Sequence, residues 1–402
     1  MPNTHSPSGG KLRIVLFYGC NANVIGGNTS YLIDTARLLS RRNVELHVLV
    51  PDGTSTLDGI DCVIHKYRIP EVWLPRGCWS LYSIFLLIQL YRSTRKRLNL
   101  LMPDVIISNH FMAILVAAAT CKSPRFFLPG SLAAMDIKMD PGPSVSGLFR
   151  RWSRQFNCWM SLKFEKWALN LSRKIIVSSN FFSNLICETY GYHHRKHLEI
   201  IPNGVDVSHY GVGTRNQSIQ NPRRVVLSAI RIVGSKNWRL ILEAAPLLEP
   251  NVEWWIAGDG AELALLKTEV ANRGLKEKVR VLERRKDMPD LYAQADVFVH
   301  LSYYDCYSMV VMEALVSGLP VVLLDPGTQK ARIGYGEIAR PEPGFTFVQD
   351  TASEVAKGIK AMLSEPLNKV AFAEKARAIH SHERHVDSLI KSINAELKNG
   401  AT

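Results

Sequence analysis

Residues 11–18, KLRIVLFY, form a short run that after Lys11 is β-branched, aliphatic and aromatic, broken only by Arg13. That is the pattern of a buried strand. A polar loop carrying Gly26-Gly27 follows, then a helix-forming stretch over 29–42 and a second strand over 44–50. Strand, helix and strand in that order make a βαβ unit, and such units build a parallel sheet covered on both faces. Further strands are predicted over 104–108 (DVIIS), 125–128 and 174–178 (KIIVS).

The second half repeats the alternation with different residues. Strands are predicted over 224–229 (RVVLSA), 253–257 (EWWIA), 279–282, 297–301 and 321–324. Helices fit between them at 238–248, 261–273, 287–295 and 308–317. Residues 209–222 are rich in Gly, Asn, Gln and Ser and read as a linker. The expected architecture is α/β, with two doubly wound Rossmann-like domains facing a central cleft. Residues 1–10 read as a tail, 11–203 as the first domain, 204–222 as the linker and 223–379 as the second domain.

Bulk properties fit two domains of an ordinary globular protein. The chain has 402 residues, 47% of them hydrophobic and 21% charged, with a mean hydropathy of −0.02. Seven scattered cysteines include no C-x-x-C pair, so neither a disulfide framework nor a cysteine zinc site is indicated. The opening MPNTHSPSGG lacks the basic and apolar regions of a signal peptide. The most apolar stretch, 81–91, is far short of the ~20 residues that span a bilayer. A cytoplasmic protein is expected.

The charge is uneven. Of the net +13, residues 1–200 carry 24 Lys/Arg against 12 Asp/Glu, and residues 201–402 carry 25 against 24. The excess suits an anionic partner of the first half. Residues 148–171 add Phe149, Trp152, Phe156, Trp159, Phe164, Trp167 and Leu171 at helical spacing among five cations. Either this stripe packs on the first domain, or it lies on a membrane surface with cations on anionic headgroups. No nucleic-acid-binding motif is legible.

The chemistry concentrates in residues 302–320, SYYDCYSMVVMEALVSGLP. A strand ends, a loop carries Asp305, and a helix begins near Ser308 and carries Glu313. Between the two carboxylates lies a helix N-terminus, whose free N–H groups and positive dipole end favour a phosphate. Carboxylate, phosphate site, carboxylate is the order that holds a nucleotide sugar. Tyr307, Ser308 and Met309 would line the phosphate end. Upstream, Arg231 and Lys236 sit five apart in a strand-to-helix loop, where both could reach a diphosphate. Taken singly, Asp305 reads equally as a loop residue or N-cap, Arg231 and Lys236 as solvated charges, and His110 as a structural histidine. Glu313 is different, because a carboxylate among Met, Val, Ala and Leu needs a partner.

Several motifs in order resemble those of the retaining glycosyltransferases of family 4 (glycosyl transferases group 1), which have the GT-B fold. They are Gly26-Gly27 after the first strand, DVIISNH at 104–110, PNGVD at 202–206, Arg231-x4-Lys236 and IAGDG at 256–260. DLYAQADVFV at 290–299 and Asp305-x7-Glu313 followed by Ala-x3-Gly-x-Pro complete the series. The resemblance covers residues 11 to 390.

It implies that Arg231 and Lys236 contact the donor diphosphate, Glu313 the ribose and Asp305 the transferred sugar. It also implies that Gly26-Gly27 let backbone approach the phosphate or acceptor, and that residues 380–402 pack back on the first domain. Transfer would keep the anomeric configuration and use no nucleophilic side chain. No D-x-D triplet occurs, in keeping with transfer that needs no metal and no cofactor beyond the nucleotide-diphosphate sugar. The acceptor would be a glycan or a lipid-linked glycan, in polysaccharide, lipopolysaccharide or glycolipid synthesis, with a peripheral place on an anionic membrane.

The chain departs from the family's pattern at the sugar pocket. Asp305 stands where the family has Glu, Cys306-Tyr307-Ser308 replaces Gly-Phe-Gly, and Asn237 replaces the Gly after the phosphate lysine. Pro129-Gly130-Ser131 occupies a place where many members have a His, a role that His110 could take. An inactive scaffold or partner subunit that binds nucleotide sugar without turnover is the alternative reading.

Overall fold

A computed structural model describes residues 11–19, 27–52, 54, 57, 59–68, 79–132, 148–213, 223–328, 332–338 and 343–399. These fall into two compact units, one of residues 11–202 and 382–399, the other of residues 203–381. Gly26 lies outside the described residues, and Gly27 opens the first helix.

The first unit holds strands β1 (Leu12–Phe17), β2 (Val44–Pro51), β3 (Val63–Tyr67), β4 (Val105–Ser108), β5 (Arg125–Phe127), β6 (Lys174–Val177) and β7 (Leu198–Ile200). Its helices are α1 (Gly27–Ser40), α2 (Trp79–Leu101), α3 (Phe111–Thr120), α4 (Leu148–Leu171) and α5 (Asn180–Tyr190). The strands form one parallel sheet in the order β3-β2-β1-β4-β5-β6-β7. Alternate residues of β1 feed opposite faces. Ile14 and Leu16 pack with Leu32, Ala36 and Leu39 of α1, while Val15 and Phe17 pack with Leu90 of α2 and Met112 of α3. Ile14 through Phe17 are wholly buried, contributing roughly 1.5–3 kcal/mol each before entropy is charged against them. This is why the run reads as continuously apolar.

The second unit holds β8 (Arg224–Ala229), β9 (Val252–Ala257), β10 (Val279–Glu283), β11 (Val297–His300), β12 (Tyr304–Asp305), β13 (Val321–Leu324), β14 (Arg332–Ile333) and β15 (Phe345–Val348). Helices α6 (Trp238–Ala244), α7 (Leu263–Asn272), α8 (Met288–Gln294), α9 (Met309–Val316), α10 (Ala352–Ser364) and α11 (Lys369–His380) flank them. Six strands pair in parallel in the order β10-β9-β8-β11-β13-β15, and β12 pairs separately with β14. Val226, Val297 and Val299 face Trp238 and Ile359 on one side. Val225, Leu227 and Phe298 face Tyr292, Val311 and Leu315 on the other. Packing of this unit begins ahead of residue 223: Val205 is buried and bridges Ser381, and Asp206 caps a 3-10 turn at Val207–His209.

After α11 the chain returns to the first unit as α12 (His382–Asn399), whose Val386, Leu389 and Ile393 complete the face that carries α1. A histidine cluster fixes its first turns. His385 Nδ1 lies 2.9 Å from the Pro202 carbonyl, which only accepts, so Nδ1 carries the proton. His385 Nε2 therefore accepts from the Tyr31 hydroxyl at 2.5 Å. Thr35 Oγ1 gives its own hydrogen to the Tyr31 carbonyl and accepts from His382 Nε2 at 3.1 Å. Arg173 with Glu396, and Ser392 with Glu199 at 2.6 Å, pin the rest of the helix.

Burial, reinforced by neighbouring His382, pushes His385 down to about 3. A histidine lowered in the folded state binds fewer protons than in the unfolded chain, so its stabilisation is whole above pH 6.5 and is lost as pH falls toward 3. Between pH 7.5 and 4.5 this one residue should remove about 2–3 kcal/mol. Denaturant unfolding of wild type and His385→Gln at both pH values checks it. The variant is expected to lose that much less on acidification, and equal acid losses would reject the assignment.

Candidate active site

In both sheets the strand order reverses once, between β1 and β4 and between β8 and β11. Loops that leave the carboxyl ends of strands diverge at such a point and leave room for a ligand. In the second unit the two diverging loops are 230–237 and 301–308, which contain Arg231, Lys236, Asp305 and Ser308.

The first loop is built on close backbone contact. Ile232 and Val233 are buried and anchor it. Its backbone donates to the 257–262 turn, Ile230 N–H to the Ala257 carbonyl at 2.9 Å and Ile232 N–H to the Asp259 carbonyl at 2.8 Å. Room for this comes from two glycines. A Cβ at Gly258, whose φ is +146°, would lie 1.8 Å from the Ile230 oxygen, and one at Gly260 would lie 2.4 Å from the Ile232 oxygen. The loop then tightens into a 3-10 turn at Gly234–Lys236 and passes through Asn237 in the left-handed region, φ 55° and ψ 36°. That conformation explains why a glycine or an asparagine suits the position. Asn237 also uses its side chain: Nδ2 donates to Asp350 at 3.1 Å, and Asp350 accepts from the Tyr303 hydroxyl at 2.8 Å. Tyr303 N–H donates to the Ser235 carbonyl at 2.8 Å. Asp350 thus ties the two loops together.

Lys236 and Asp305 meet. Lys236 Nζ lies 3.1 Å from Asp305 Oδ2 and 3.0 Å from the Tyr304 carbonyl. His300 Nε2, from the end of β11, reaches the same Oδ2 at 3.1 Å. Burial works to raise the Asp305 carboxyl, but the Lys236 charge and the His300 hydrogen bond outweigh it and hold the group well below the usual carboxylate range. Asp305 is therefore an anion at any physiological pH. Its backbone is set by the short β12–β14 ladder and by Gly334 N–H, which donates to the Asp305 carbonyl at 2.6 Å. Arg231 lies on the same loop as Lys236 and is exposed.

Glu313 sits one turn inside α9 and bonds elsewhere: Oε2 accepts from the Tyr292 hydroxyl at 2.7 Å. Tyr292 is wholly buried, and burial together with the Glu313 charge pushes its hydroxyl well up, so it stays a donor. Ser308 is the N-cap of α9 by backbone geometry, yet its side chain makes no capping bond. Met309 is the first helical residue. Tyr307 is buried, and burial with the Glu337 charge pushes it up to about 12.

In the first unit, His110 caps α3 at the end of β4, its Nδ1 accepting from Met112 N–H at 3.3 Å. The neutral ring then carries its proton on Nε2 and acts as a donor. Burial lowers it to about 4, so it remains neutral at physiological pH. It packs over Gly19 at the end of β1, where a Cβ would come within 2.7 Å of the ring. His300 and Asp350 lie outside the quoted motifs, and Tyr292 and Tyr303 lie within them without a role assigned by motif reading. A lone histidine in the buried run VFVHL was the available signal for His300.

The profile of the glycosyl transferases group 1 matches residues 214–379, and that of glycosyltransferase family 4 matches residues 25–209. The chain belongs to the group 1 glycosyltransferases of family 4 type. Mannosylfructose-phosphate synthase of Agrobacterium fabrum is 29% identical over 346 residues, 78% of this chain and 74% of that protein. Lipopolysaccharide glucosyltransferase WaaG of Escherichia coli is 27% identical over 195 residues, 46% of this chain and 48% of that protein. Among solved structures, Anabaena Alr3699/HepE in complex with UDP and glucose superposes with a TM-score of 0.71 at 18% identity. That match covers 95% of this chain and 99% of the other. The fold is that of GT-B glycosyltransferases, and its relatives include enzymes of lipopolysaccharide synthesis.

Proposed function

We propose that the protein is a retaining glycosyltransferase that takes a sugar from a nucleotide-diphosphate sugar and passes it to a glycan or lipid-linked acceptor. The single observation that carries this reading is the Lys236–Asp305 contact at the switch point of the second sheet. It puts a cation for the diphosphate and an anion for sugar hydroxyls side by side. Arg231, Lys236 and the uncapped start of α9 at Ser308 and Met309 would hold the departing diphosphate. Their stabilisation of developing negative charge would be the main source of rate. Glu313, oriented by Tyr292, would accept from the ribose hydroxyls, and Tyr307 would wall the pocket.

In this scheme the diphosphate oxygen also takes the acceptor proton, so no protein base is needed and no step is assigned to a metal. His110, donating from Nε2, would hydrogen-bond substrate rather than remove a proton. The UDP and glucose in the Anabaena neighbour support a nucleotide-sugar donor.

For the acceptor, α4 supplies the argument. Phe164 and Ala168 pack inward, whereas Phe156, Trp159, Trp167 and Leu171 remain exposed, with Lys163 Nζ 5.6 Å from the Trp159 ring centre. Among the described residues no helix is long and apolar enough to cross a membrane. An aromatic and basic helix face of this kind suits the surface of an anionic bilayer. The reading is therefore of an enzyme working at the cytoplasmic face of a membrane on a lipid-linked acceptor.

Product stereochemistry tests the reaction type. Incubation with the donor, followed by proton NMR of the new anomeric centre, is expected to give an α-linked product from an α-linked donor. A β-linked product would exclude retention. Nucleotide-sugar binding without any transfer or hydrolysis would favour the inactive scaffold.

A further inference from the structure

His300 is a polar side chain in a strand that is otherwise wholly apolar and buried, and it is 1% exposed. Its ring is fixed on both sides, stacked on Phe298 at 6.4 Å and edge-on to Tyr335 at 5.6 Å. Nε2 faces a carboxylate oxygen 3.1 Å away, and a carboxylate can only accept, so Nε2 carries the proton. Ser308 Oγ, at 3.5 Å from the same nitrogen, is too long to compete. Nδ1 is then a bare acceptor, buried with no hydrogen-bond partner among the described residues. A buried acceptor left unpaired costs stability that an aliphatic residue would not. The fold tolerates that cost at a position one bond away from Asp305.

Both donors that reach Asp305, Lys236 and His300, take Oδ2. The carboxylate is held by one oxygen, while Oδ1 accepts nothing from the described residues. Lys236 is also the cation assigned to the diphosphate in the proposed function, so on donor binding its ammonium is drawn toward phosphate and away from Oδ2. His300 has no such second client.

From this the geometry points to His300 as the positioning residue for the sugar carboxylate: it anchors Asp305 by Oδ2, leaving Oδ1 to accept from a hydroxyl of the transferred sugar. It also keeps Asp305 in place when Lys236 engages the diphosphate. The inference rests on the reading of Asp305 as the sugar-binding acid. It assigns His300 an effect on the sugar half of the donor and none on the nucleotide half.

The test separates those halves. A panel of UDP-, GDP-, ADP- and TDP-sugars on wild type identifies the donor. Affinity for that nucleotide sugar and for its free nucleoside diphosphate is then measured with wild type, His300→Leu and His300→Gln, alongside turnover. Leucine removes the donor to Asp305; glutamine can place an amide N–H near the position of Nε2. His300→Leu is expected to lose at least tenfold in kcat/KM and in affinity for the nucleotide sugar, with nucleoside diphosphate affinity within twofold of wild type. His300→Gln should recover most of the loss. In an Asp305→Ala background His300→Leu should cost nothing further, because the two act as one unit.

Equal loss of sugar-bearing and sugar-free nucleotide in a folded His300→Leu protein would overturn the inference, as would full activity of that variant. So would additive losses in the double variant. If His300→Leu does not fold, the glutamine variant decides alone: a nucleoside diphosphate affinity that falls with the nucleotide-sugar affinity rejects the inference. Wild type that neither binds nor turns over any nucleotide sugar would instead reject the underlying functional reading.

Discussion

Lys236→Ala is expected to lower kcat/KM by 10²–10³, the loss typical of deleting one preorganised group that faces developing negative charge, about 2.7–4 kcal/mol. Lys236 is held in a 3-10 turn that accepts from Tyr303 N–H at Ser235 and follows residues 230–232, which are bonded to the 257–262 loop; its ammonium is desolvated against Asp305 and the Tyr304 carbonyl. Little motion is required for it to meet a diphosphate between the loops. Only 17% and 16% of the Lys236 and Asp305 side chains are exposed, so the pair lies between the surface case, worth little, and the buried case. Removing the lysine leaves Asp305 with His300 alone. Its carboxyl should move up from its depressed value, and stability at pH above about 4, where the unfolded carboxylate is ionised, should fall modestly, on the order of 1–3 kcal/mol. Steady-state kinetics with circular dichroism of the variant check both parts. A variant that is folded and retains more than a third of wild-type kcat/KM would remove Lys236 from the mechanism.

Gly258→Ala should be the most damaging conservative change in the second unit. The residue has a φ of +146°, which side-chain-bearing residues rarely adopt, and its added methyl would fall 1.8 Å from the Ile230 oxygen. Backbone strain and overpacking each cost roughly 1–3 kcal/mol, so a loss of roughly 2–5 kcal/mol is expected. In a domain of this size that corresponds to a thermal midpoint lower by roughly 10 °C. Relief of the clash must displace the loop that carries Arg231 and Lys236, so nucleotide affinity should fall with it. Gly274→Ala is the control: φ is +66° there and nothing lies within 4 Å of the added methyl. Only the left-handed penalty of roughly 1–2 kcal/mol applies, with nucleotide binding unchanged. Similar losses for both would mean that the close approach of the two loops does not hold the phosphate loop in place.

The sequence was most legible where physics leaves few choices. Runs such as LRIVLF and VVLL must be strands buried on both faces, because continuous apolar residues leave no solvent side. The helices α6 to α9 announce themselves by glycine and proline punctuation between strands. Other elements gave weaker signals. Strand β3, VIHKY, is a partly exposed edge without the apolar run, and helix α3, FMAILVAAAT, is apolar all round and shows no period. Strands β12 and β14 are two residues each and exist only through their mutual pairing.

At the site, the motif residues were legible as chemistry but not as a set of contacts. Lys236 and Asp305 are 69 positions apart and meet only because β8 and β11 are neighbours. Glu313, eight residues after Asp305, is held by Tyr292 from a different helix. Spacing along the chain carries no information about such partners. His300 was visible as a polar letter in an apolar strand, and its role needed the direction of its Nε2.

The switch point of the second unit should bind a nucleotide-diphosphate sugar through Lys236. The measurement that reaches it most directly is a thermal-shift comparison of wild type and Lys236→Ala with UDP-, GDP-, ADP- and TDP-sugars. A ligand that binds only the folded state raises its stability by about 2.7 kcal/mol at a hundredfold excess over Kd. One nucleotide class should raise the wild-type midpoint by several degrees and leave the variant unmoved. Equal shifts in the two proteins, or none in a folded wild type at saturating ligand, would contradict the account.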